Sequence, residues 1–141
     1  MNIEDIARTY LCIKGQVAVV GASPKKDRTS YEIMSYLLKN RITAIPVNPS
    51  YAGEDILGEK CLASVKDLPE DVGIIDMVVS AANQGQILRE IGELTGRPVV
   101  WFQPGAENEK GAKELEARGF PVVSQACIMV VHSLYCTEEE E

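Results

Sequence analysis

Five short apolar runs, Gln16–Gly21, Ile42–Val47, Ile74–Val79, Pro98–Phe102 and Phe120–Val123, punctuate this chain. They are rich in Val and Ile and do not alternate apolar with polar residues, which is how strands covered on both faces of a parallel sheet read. Helical spacing fills most of the intervals. Tyr31–Lys39 sets Tyr31, Met34, Leu37 and Leu38 on one stripe, Gln84–Thr95 does the same with Ile87, Leu88, Ile91 and Leu94, and Glu107–Arg118 is a helix stopped by Gly119. Strands alternating with helices require right-handed crossovers, so the pattern predicts an α/β fold, a doubly wound parallel sheet in three layers. A further amphipathic helix is predicted over residues 3 to 12 behind Asn2, with Ile3, Ile6, Ala7, Tyr10 and Leu11 on its apolar face. Between Pro49 and Pro69 the signals are weak, with Cys61-Leu62 as a brief strand and Lys66–Leu68 as a helical turn.

At 141 residues the chain is one domain's worth, expected over 1–137 with Glu138–Glu141 as a solvated tail. Its formal charge of −7 leaves no general basic field for nucleic acid or an anionic membrane. No run is long and apolar enough to span a bilayer, and the start, Met1-Asn2-Ile3-Glu4-Asp5, is acidic where a signal peptide is basic. The expected location is therefore cytoplasmic, where Cys12, Cys61, Cys127 and Cys136 are expected to be reduced. Cys127, His132 and Cys136 have a spacing that no common zinc site uses, so no metal is expected. His132, the single histidine, reads as a packed side chain.

In a doubly wound sheet, ligands bind beyond the carboxyl ends of the strands. After the first run comes Gly21-Ala22-Ser23-Pro24-Lys25-Lys26-Asp27-Arg28-Thr29-Ser30, then a helix. A glycine lets backbone approach a phosphate, and the helix start offers unpaired N–H groups. Lys25, Lys26 and Arg28 crowd three cations into four residues of an acidic chain, although the dinucleotide glycine fingerprint is incomplete. After the second run stands Asn48-Pro49, where NAD-binding domains usually carry an acid for the ribose hydroxyls. An asparagine tolerates a neighbouring phosphate, but taken alone Asn48-Pro49 reads first as the start of a turn. Ser80-Ala81-Ala82-Asn83 and Gln103-Pro104-Gly105 follow the next two runs. The residues thus singled out for a small nucleotide cofactor are Gly21, Ala22, Ser23, Lys25, Lys26, Arg28, Ser30, Asn48, Pro49, Ser80, Gln103 and Gly105.

The order of these motifs resembles the small stand-alone CoA-binding proteins, whose Rossmann-like fold is shared with the CoA-binding domain of the succinyl-CoA synthetase alpha subunit. The similarity rests on Val17–Ser23 with Arg28 and Ser30, Ile45–Pro49, Leu57–Lys60, Ser64–Pro69 and Val99–Gly105. It implies CoA or an acyl-CoA across the carboxyl edge, with the diphosphate near Gly21–Ser23 and adenine near the segment after Val79. It also implies a binding module without catalysis, since no nucleophile here has an evident activating base. The alternative ligand is NADP, as in an NAD(P)-binding domain or redox sensor. Ser80–Asn83 departs from the family, which often carries arginine there, and Gln125 stands where an aspartate is common. A second copy of the chain or another protein stays open as a partner.

Overall fold

The structure is a computed structural model that describes residues 2–13 and 15–136. In chain order it contains α1 (Ile3–Ile6) continued by a π-helical turn (Ala7–Leu11), β1 (Gln16–Val20), α2 (Thr29–Lys39) and β2 (Thr43–Val47). A hairpin of β3 (Asp55–Ile56) and β4 (Glu59–Lys60) follows, then β5 (Ile74–Met77), α3 (Gly85–Gly92) and β6 (Val99–Phe102). The last elements are α4 (Glu109–Ala117), β7 (Val122–Ser124) and α5 (Ile128–Tyr135). The five apolar runs make one sheet in the order β2-β1-β5-β6-β7. All four neighbouring pairs are parallel. This is the doubly wound α/β architecture that the alternation predicts.

The absence of polar alternation in the strands has its reason in the two cores. Val17, Val19, Ile74, Val99 and Trp101 face one side, against Ile33, Met34 and Leu37 of α2 and Ile128 and Val131 of α5. Ala18, Val20, Ile75, Met77, Val100 and Phe102 face the other, against Ile91 of α3 and Leu115 of α4. Chain direction within the order reverses about β1: β2 is reached through α2 on one face, and β6 through α3 on the other. The switch point between β1 and β5 is where a cleft opens in such sheets.

The amino-terminal helix departs from expectation. Only its first turn is α-helical, capped by Asn2 and Asp5 in a reciprocal box. The rest widens to a π turn closed by Cys12 N–H donating to the Ala7 carbonyl at 2.8 Å. Cys12 there forms a disulfide with Cys136 at the end of α5, which corrects the expectation that all four cysteines are reduced. The pairing spans 124 residues, so no local spacing announced it; the fold creates it by packing the first and last helical segments on the same face. Cys61 and Cys127 are free. Residues 138–141, the expected acidic tail, lie outside the described residues. No helix among the described residues is long and apolar enough to cross a membrane.

One buried strand residue violates the apolar rule. Asp76 pairs in register with Val19 and Trp101, is fully buried, and its carboxyl oxygens have no hydrogen-bond partner among the described residues. Burial alone pushes its carboxyl well above the ordinary carboxylate range. Between the unfolded value near pH 3.9 and the raised folded value, the folded chain holds a proton that the unfolded chain releases, so the cost of burying Asp76 is smallest below about pH 3.9. That cost grows as pH rises toward the folded value. Asp76→Asn, which cannot ionise, removes this dependence. Urea midpoints at pH 5 and 7.5 should show the parent losing stability relative to the variant by up to about 1.4 kcal/mol per pH unit. Parallel pH profiles for the two proteins would show that Asp76 is ionised in the fold.

Candidate functional site

The carboxyl ends of β1, β2, β5 and β6 open onto a cleft of about 600 Å³. Gly21, the first residue past β1, has φ +96, a conformation that glycine adopts freely and other residues resist. A Cβ there would stand 2.8 Å from the Val79 side chain and 3.3 Å from the Val78 backbone. Glycine is thus needed on two counts, and the crowding neighbour is the segment after β5 rather than the cleft itself. Ser23 is nearly buried, and its hydroxyl accepts from the Lys25 N–H at 3.1 Å, which closes the turn. The chain then enters α2 at Arg28, the N-cap residue, whose side chain makes no capping bond. The first N–H groups of this eleven-residue helix keep their positive end open. Arg28, Thr29 and Ser30 form the cleft wall at that point, with Asp27 beside them.

Three side-chain amides tie the loops of this rim together. Asn48 donates to the Ala22 carbonyl at 2.9 Å and accepts from Ser50 N–H at 2.9 Å, joining the loops after β1 and β2. Gln84, fully buried, donates at 2.7 Å both to the Val79 carbonyl after β5 and to the Ala106 carbonyl after β6. Its oxygen accepts from Asn108 at 2.9 Å, while Asn108 caps α4 by accepting from Gly111 N–H. Gln103 accepts from Ile128 N–H at 2.8 Å and donates to Cys127 Sγ at 3.6 Å, so it binds the end of β6 to the start of α5. Trp101 donates to the Ala126 carbonyl at 2.8 Å in support.

Seven of the residues singled out in the sequence meet in the cleft: Gly21, Ser23, Arg28, Ser30, Asn48, Ser80 and Gly105. Pro49 lies in an adjoining groove of about 510 Å³ that shares Gly21 and Asn48 with the cleft. Ala22 is fully buried, and Gln103, 3% exposed, is spent on α5 instead of facing the cleft. Lys25 and Lys26 are exposed on the loop and form no part of either wall. The sequence reading missed Asp27, Thr29 and Tyr51 in the cleft, and Gln84 behind it. It also missed the groove, whose walls are Val20, Val47, Val65, Val79 and Ile87.

The cleft and groove together offer an end with an open helix start and Arg28, and an end with aliphatic walls. Comparison with known proteins bears on what such a pair holds. Residues 15–133 match the model of a family described as CoA binding domain. The chain is 31% identical over 119 residues to the uncharacterized protein YneT of Bacillus subtilis, covering 84% of this chain and 86% of YneT. It is 31% identical over 112 residues to an ADP-forming acetate–CoA ligase of Methanocaldococcus jannaschii, covering 79% of this chain but 16% of the ligase. A solved structure from Thermus thermophilus, cell-free ID.343, superposes with a TM-score of 0.86 at 34% identity, covering 96% of this chain and 99% of that one.

The geometry makes Gln84 the tie on the β5–β6 side of the cleft. Gln84→Leu keeps the bulk and leaves two carbonyls without their donor, so unfolding in urea should show a loss of about 2 to 4 kcal/mol. A change within about 0.5 kcal/mol, ordinary for a surface substitution, would mean that the rim does not depend on it.

Proposed function

The chain belongs to the CoA binding domain family, and on that premise we propose that it binds coenzyme A, free or acylated, across the carboxyl edge of its sheet, and does not turn it over. The observation that carries the reading is the pairing of Gly21 with the uncapped start of α2. The positive-φ turn at Gly21, the open N–H groups of the helix start and Arg28 all line one cleft, the arrangement that suits a diphosphate. The diphosphate lies against Gly21–Ser23 and the first turn of α2. Adenine enters the apolar groove between Val47 and Val79, and the pantetheine arm follows Ser80 toward Gly105. When bound, CoA supplies a thiol or thioester. The residues of this chain supply position and charge complementarity.

The non-catalytic part of the reading is supported by where the reactive groups sit. His132 is buried between α5 and α2, with its Nδ1 2.9 Å from the Tyr36 hydroxyl, and it lines neither cavity. Cys61 is buried, which pushes its thiol up from the usual range. NADP, the alternative left open by the sequence, has no support among the relatives.

Native mass spectrometry of the purified chain, with thermal unfolding against added ligands, tests the proposal. CoA at about 100 times its Kd should stabilise the fold by about 2.7 kcal/mol. Unfolding unchanged by saturating CoA but shifted by NADPH would overturn the reading. Within the site, Arg28→Ala should weaken CoA binding about tenfold, the scale of a charged hydrogen bond discounted for exposure. Lys25→Ala with Lys26→Ala should cost less than Arg28→Ala, and that smaller loss should fade as salt screens it. The reverse order would move the phosphates onto the outer loop.

A further inference from the structure

The groove beside the cleft has aliphatic walls, with Asn48, Ser50, Ser64, Asn83, Gln86 and Glu90 as its polar lining. Val20, Val47, Val65, Val79 and Ile87 come from β1, β2, the turn after β4, the segment after β5 and α3, and they wall a slot. Glu90 of α3 lies at its border, half-buried. Its two oxygens are held from two directions. Oε1 accepts from the Ser64 hydroxyl at 2.8 Å, and Oε2 accepts from the Gln86 amide at 3.0 Å. Ser64 is itself fixed, because its oxygen accepts from Lys66 N–H at 3.0 Å. The Lys66 ammonium pairs with Glu93 at 3.0 Å, not with Glu90. The Glu90 carboxylate is therefore a positioned acceptor with two of its roughly four lone-pair sites used.

A slot with aliphatic walls takes a flat aromatic ring, and a carboxylate at its edge decides which ring. An exocyclic amine donates to it, whereas a carbonyl oxygen at the same ring position meets like charge and leaves both acceptors unpaired. A carboxylate at this end also opposes phosphate, which belongs with Arg28 and the start of α2 at the other end. We propose that Glu90 is the specificity-determining residue for the base of the bound nucleotide, accepting an N–H from the 6-amino group of adenine. The proposal rests on the CoA reading above and adds to it the residue that reads the base. Ser64 and Gln86 act as positioning residues for that carboxylate.

Isothermal titration of the full chain with CoA, adenosine 3′,5′-bisphosphate and inosine 3′,5′-bisphosphate tests this, because the two bisphosphates differ only on the edge that carries position 6, an amino group beside an N1 acceptor in one and a carbonyl beside an N1–H in the other. The parent should bind the adenosine compound at least about tenfold more tightly, the equivalent of 1.4 kcal/mol. Glu90→Gln, whose amide offers both a donor and an acceptor, should narrow that ratio severalfold by gaining on the inosine compound. Ser64→Ala should weaken the adenosine compound and leave the inosine compound little changed. CoA binding with equal affinity for the two bisphosphates overturns the Glu90 assignment and leaves the CoA reading standing, as does a Glu90→Gln ratio equal to the parent's. No binding of CoA or of either bisphosphate overturns both. The base preference of the parent needs no variant, so the assignment stays testable even if a substitution disturbs folding.

Discussion

A parallel sheet must end its strands on the same side, and every loop that leaves there carries backbone groups that the sheet no longer pairs. In this chain three amide side chains meet that need. Asn48 bridges the loops of β1 and β2, Gln84 those of β5 and β6, and Gln103 the end of β6 and the start of α5. An amide suits the task because it donates and accepts within one planar group, so one residue can satisfy partners on two segments. The cleft depends on these ties. Its walls come from four separate loops, and strand pairing stops short of all of them.

The consequences extend to the helices. Gln103 and Trp101 fix the beginning of α5, the Tyr36–His132 contact joins its middle to α2, and the disulfide fastens its end to the amino-terminal segment. α2 in turn presents the uncapped end that forms the cleft wall. The face of the sheet opposite the groove therefore acts as a brace behind the start of α2. Asp76 lies on that braced face, buried between Val19 and Trp101 in the sheet. Its uncompensated carboxyl is a cost that surrounding apolar burial must offset.

Much of this architecture was legible in the order of residues, for a physical reason. Strands with both faces covered have no polar face to display, so Val17–Val20 and Val99–Phe102 declare a parallel sheet, and a parallel sheet fixes where a ligand sits. Gly21 was legible too, although the sequence could not show that its missing Cβ makes room for Val78 and Val79. Gln103 was misplaced, and the tie that Asn48 makes was not visible, because a polar residue at a strand end looks the same whether it faces a cleft or ties two loops. Gln84 was hidden more completely: the sequence shows it only as the start of the helical stretch Gln84–Thr95, outside its apolar stripe, and only the tertiary fold buries it. The disulfide and the groove share one difficulty. Each is assembled from segments far apart in the chain, and no local period or spacing encodes such a meeting.

The charge of the chain sharpens what the site has to do. A protein of net charge −7 repels a polyanion at distances up to a Debye length, about 8 Å at physiological ionic strength. Under the proposed reading the balance changes close in, because the groups that would meet phosphate at Gly21 and at the start of α2 are backbone N–H dipoles fixed in place by the fold, with Arg28 beside them. Those dipoles carry no net charge and so add nothing to the field at long range. Attraction is thereby confined to a small region, and the surrounding acidity discourages phosphate everywhere else, including the edge of the groove where Glu90 stands. Under the proposed reading, this arrangement sets the direction in which the ligand lies: phosphates toward α2, base toward α3. An acidic surface and a local anion site are then compatible, since the first excludes the orientations that the second does not select.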